Sequence, residues 1–153
     1  MPYGLQLLVQ VSFSYLSTVA FAIIINVPRR ALNLAGWSGA IGWLVYWLLM
    51  GLHSGRMLAN LLGALAIGVC GMLFARRKKM PVIIFNIPGL VPLVPGATAY
   101  QAVRALVLGD MEVALQLTLR VAMVAGAIAV GFMLAQLLAE TTYRMQATKA
   151  VKK

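Results

Sequence analysis

Carboxylates are almost absent from this sequence: Asp110, Glu112 and Glu140 are its 3 acids among 153 residues. They are joined by a single histidine and a single cysteine. No Ser-His-Asp or Cys-His set can be assembled from these, and no cluster has metal-ligand spacing. The inventory argues against an enzyme and calls for neither a metal nor a cofactor. Cys70 lies inside an apolar stretch with no second thiol, so it reads as packing rather than as a disulfide or ligand. The first apolar run has no basic leader and no small-residue cleavage pattern before Asn26, which reads as a persisting helix, not a removable signal. Charge of any sign is scarce too, at 10% of residues. That is too little to solvate a globular surface.

Apolar residues make up 62% of the chain and the mean hydropathy is +0.91. Lipid is therefore the expected solvent, and a span takes about 20 apolar residues. Five spans are predicted, near 5–27, 34–50, 57–75, 81–108 and 113–138, followed by a basic tail over 139–153. The fold class is an all-α polytopic membrane bundle forming one transmembrane domain over 1–153, with the fourth span broken. The 13 Lys and Arg give a formal charge of +10. In a membrane protein such an excess marks the cytoplasmic side, and no basic surface interleaved with aromatics points to nucleic acid. Placing the N-terminus outside gathers Arg29, Arg30, Arg76, Arg77, Lys78, Lys79, Arg144, Lys149, Lys152 and Lys153 inside. The Asp110 loop is then outside. Trp37, Trp43, Tyr46 and Trp47 read as interface anchors and packing. Small residues such as Gly36, Gly39 and Gly42 predict close helix approach.

The break is the informative feature. Pro88, Pro92 and Pro95 cannot share one continuous helix, since each removes a donor and clashes with the preceding turn. Halves over 81–91 and 97–108 would measure about 16 and 18 Å, which puts the break near the membrane midplane. Backbone unpaired at that depth lines a wet cavity or is buried in protein, so the segment is either a transport path or a packing kink. The second half would start near Ala97 and Thr98 with free N–H groups, a seat for a carboxylate. Ala97, Tyr100, Gln101, Arg104 and Leu108 share a face expected to point into the bundle. Arg104 and Arg120 fall at similar depth and either bind an anion or snorkel to the surface. The polar residues of the first span, Gln6, Gln10, Ser14, Ser17 and Thr18, either glue helices together or line a path. With all acids at span ends, no carboxylate is placed to carry a proton across the midplane.

Two segments carry a family likeness: Phe21 to Leu32, with its Asn26-Val27-Pro28-Arg29-Arg30 run, and Ile87 to Tyr100, with Pro92-Leu93-Val94-Pro95-Gly96 at its centre. Together they resemble the threonine/serine exporter family, in particular its smaller, YjjB-like split subunit. The resemblance implies a two-part exporter whose other half is a larger YjjP-like subunit with a cytosolic domain, in the cell inner membrane. The candidate substrate-binding or path residues are then Asn26, Pro92, Pro95, Gly96, Thr98 and Tyr100 from the matching segments, with Gln101, Arg104 and Arg120 added by their position on the helices. The solute is then threonine, serine or a related small carboxylate. A dicarboxylate such as succinate is the alternative solute, and a non-conducting membrane scaffold the alternative role.

Overall fold

A computed structural model describes residues 3–151, with side chains described for residues 3–141. Arg144 and Lys149 have no described side chain, and Lys152 and Lys153 lie outside the described residues. Six helices follow one another: α1 Tyr3–Ile24, α2 Arg29–Gly51, α3 Arg56–Lys78, α4 Ile83–Leu90, α5 Gly96–Val107 and α6 Met111–Val151. Among the described residues all regular structure is helical. Four stretches, namely α1, α2, α3 and the first 31 residues of α6, are long and apolar enough to cross a membrane. The chain is a polytopic helical membrane bundle.

Tight turns connect the long helices. Asn26, His53 and Lys79 all take positive φ, as do Gly55 and Gly109, and each stands at a helix junction where the chain must reverse. Arg29 and Arg30 open α2, and Arg76 to Lys78 occupy the last turn of α3. These cations therefore sit on helix ends. At the start of α6, the Val113 N–H donates to Asp110 Oδ1 at 3.3 Å, an N-cap.

The helices pack in the order α1, α2, α3, α6, α5, and α4 seats against α1, α2 and α3. Among the described residues α5 packs on α6 alone. Gly36, Gly39 and Gly42 are buried in α2, as their spacing predicts for close helix contact. The α4 seat on α2 is equally tight. The Ser38 hydroxyl donates to the Phe85 carbonyl at 3.1 Å, and a Cβ on Gly89 would lie 2.6 Å from Ser38 Oγ.

The fourth apolar region is broken, as its prolines require. Residues 91–95 are turn between the two half-helices, and α5 begins directly after Pro95. At 1.5 Å per residue the halves rise about 12 and 18 Å. Pro88 does not take part in the break: it stays inside α4, a helix of only 8 residues that loses a single ladder bond to it. Leu93, in the break, is buried against Ala64 and Ile67 near the middle of α3, with Val124 and Ile128 of α6.

Candidate functional site

The break opens on a cavity of about 270 Å³. Each wall comes from a different element: Trp43 and Tyr46 from α2, Arg56 and Asn60 from α3, Pro92 to Pro95 from the turn, Thr98 from α5 and Arg120 from α6. Asn60 is buried, and its Nδ2 donates to the Arg56 carbonyl at 2.8 Å, a bond that ties the first turn of α3 to the cavity wall. The rings of Trp43 and Tyr46 stack with centroids 5.1 Å apart and planes tilted by 33°. No side chain caps α5; the Gly96 N–H donates to the Val94 carbonyl at 2.8 Å, which leaves the N–H groups of Ala97 and Thr98 for an acceptor at this rim.

Two guanidiniums and no acid line the space. Both are exposed at its edge and able to reach inward. Each carries five donors and can grip a carboxylate with two parallel bonds. The opening end of a helix dipole favours the same sign of charge.

Of the residues the sequence singles out, Pro92, Pro95, Thr98 and Arg120 meet on this cavity. Gly96 begins α5 beside it and is exposed. Gln101 and Arg104 line a different cleft, between α5 and the start of α6, with Asp110 and Leu117. Tyr100 is 69% exposed. The face carrying Tyr100, Gln101 and Arg104 thus does not enter this chain's own bundle. The small residues Ala102 and Ala105 take the α6 contact instead, because they allow the closer approach. Asn26 sits at the α1–α2 turn, the full length of α2 from the cavity end, which is roughly 33 Å of helix.

Arg56 and Asn60 escaped the sequence reading as site residues, and Trp43 and Tyr46, read there as interface anchors and packing, form part of the cavity wall. The available signal was Arg56 and Asn60 at i, i+4, one face of a span that otherwise has no polar residue before Arg76. The first-span stripe also resolves. The Trp43 indole N–H donates to Gln10 Oε1 at 2.7 Å, whereas the hydroxyls of Ser14, Ser17 and Thr18 return to carbonyls of α1 itself. Of this stripe, among the described residues, Gln10 alone bonds to another helix. Gln10, Ser14 and Ser17 line a further cavity of about 290 Å³ that shares Trp43 and Pro92 with the first.

A multi-pass helical bundle with a proline-broken helix at a cationic cavity defines a membrane transport protein. The chain belongs to the threonine/serine exporter family: the family model, described as Threonine/Serine exporter, ThrE, matches residues 10–138 and so includes every wall of the cavity. The family is one of exporters rather than enzymes. A probable threonine/serine exporter of Mycobacterium tuberculosis is 32% identical over 109 residues, 69% of this chain and 20% of that protein. An uncharacterized protein of Haemophilus influenzae is 28% identical over 105 residues, 69% of this chain and 35% of that protein. The chain thus matches about a third or less of the length of these relatives. No solved structure matches it.

Proposed function

We propose that this chain is the membrane subunit of a two-part exporter of threonine, serine or a related small carboxylate, and that it acts with a larger YjjP-like subunit. The observation that carries the reading is the convergence of Arg56, Arg120, Asn60 and Thr98 at the helix break. The guanidiniums and the opening turn of α5 bind the solute carboxylate. Asn60 meets its polar groups, and the Trp43–Tyr46 wall offers π faces to an ammonium. The partner contributes the second half of the path and, because no carboxylate lines the cavity, the coupling group as well. In this reading the protein lies in the inner membrane with the N-terminus outside and the C-terminus cytoplasmic, an orientation that the clustering of cations at the α1–α2 and α3–α4 junctions supports.

Two guanidiniums on one cavity favour a second reading, export of a dicarboxylate such as succinate. Proteoliposomes holding this chain with the larger subunit distinguish the two when loaded in turn with threonine, serine and succinate. Efflux of threonine or serine above that of succinate is the expected result. Preference for succinate selects the second reading. If none leaves the vesicles faster than from liposomes holding the larger subunit alone, the chain is a scaffold.

A further inference from the structure

A second cavity, of about 540 Å³, occupies the gap between α4 and α6. Among the described residues those helices do not pack on one another, and α3 forms the floor between them. The two cavities stand in series along α3. Leu93 lines the first, Phe132 lines the second, and both pack on the same buried layer of Ala64, Ile67, Val124 and Ile128. One apolar layer separates them.

The polar side chains of the second cavity are Asn86 and Gln136. Asn86 Oδ1 is buried and has no hydrogen-bond partner. It presses against Gly71, where a side chain of any size would collide with it. An amide oxygen left unpaired in an apolar interior is costly, and such a group calls for an explanation. Rotation about χ2 exchanges Oδ1 and Nδ2 between Gly71 and the cavity, so Asn86 can present an acceptor or a donor.

We infer that this cavity is a second binding station for the same solute, a small zwitterion rich in N–H and O–H donors, held by Asn86 and Gln136 across the apolar layer from Arg56 and Arg120. The inference rests on the exporter reading of the first cavity. Two neutral carboxamides satisfy an ammonium, a hydroxyl and a carboxylate in turn while adding no net charge. A solute can therefore load there without being trapped, the balance that a multi-site path requires. Leu93 belongs to the non-helical turn, so movement of the turn between α4 and α5 would part the layer between the stations.

The test uses the chain together with the larger YjjP-like subunit, itself made free of cysteine, in lipid nanodiscs, with Cys70→Ala and one reporter at a time: Val94→Cys on the first cavity or Ile83→Cys on the second. Maleimide labelling is timed with and without L-threonine. Threonine should slow labelling at both reporters by threefold or more. Asn86→Leu should abolish protection at position 83 and keep it at 94, which also reports that the variant is folded; Arg120→Gln should do the reverse. Protection at 94 alone overturns the inference and leaves the exporter reading standing. So does a dry, unlabelled position 83, or protection there that survives Asn86→Leu. Protection at neither position overturns both.

Discussion

Among single residues, Arg56 and Arg120 hold the cavity's charge, and Arg104 does not reach it. A charge-assisted hydrogen bond contributes about 1.5–3 kcal/mol, and about 1.4 kcal/mol is tenfold in affinity. Arg56→Ala and Arg120→Ala should each raise the half-saturating internal solute concentration about tenfold or more in vesicle efflux. Arg104→Ala should leave it within about twofold, and an equal effect of all three would reject this assignment. Sequence spacing makes Arg104 and Arg120 look like a pair because both fall at a similar predicted depth, on either side of the α5–α6 turn. Depth along an axis is legible from residue numbers; azimuth is not. Azimuth depends on which small residues pack, and here Ala102 and Ala105 turn α5 so that Arg104 faces a different cleft.

At the level of helices, the proline cluster makes the broken span legible, since missing donors and fixed φ act locally. The same rule overreaches at Pro88, which a two-turn helix accommodates. What remained hidden was the partner of each half-helix: α4 goes to α1, α2 and α3, while α5 goes to α6. Those choices depend on contacts distant in sequence, such as Ser38 with Phe85. The tightness of that seat makes a prediction. In Gly89→Val, the added carbons must displace Ser38 and Ile67, whose Oγ and Cγ2 already lie 2.6 and 3.0 Å from an ideal Cβ. Overpacking of this kind costs about 1–3 kcal/mol. The variant in detergent should melt several degrees below the parent, and an unchanged melting curve would mean that α4 is not clamped to α2.

For the molecule as a whole, the charge asymmetry predicts topology. A cysteine at Lys78 in a Cys70→Ala background should resist an impermeant reagent applied to intact cells, and one at Asp110 should react; the opposite pattern inverts the chain. The acids lead to a further expectation. None of Asp110, Glu112 and Glu140 lines the cavity at the helix break, and Asp110 serves as a helix cap. The triple variant Asp110→Asn, Glu112→Gln, Glu140→Gln should therefore export with the parent's pH dependence, measured as initial efflux at two pH values. A flattened pH profile would place coupling in this chain. Attachment of α5 to a single neighbour among the described residues carries a last consequence, which concerns amide exchange. A helix gripped on one side opens its backbone bonds more readily than α3, which is held by α2, α4 and α6. Deuterium should accordingly enter α5 ahead of α3. A solute bridging Thr98 and Arg120 would stitch α5 to α6 and slow that entry, so that occupancy of the cavity could be read as mass withheld from one 12-residue helix.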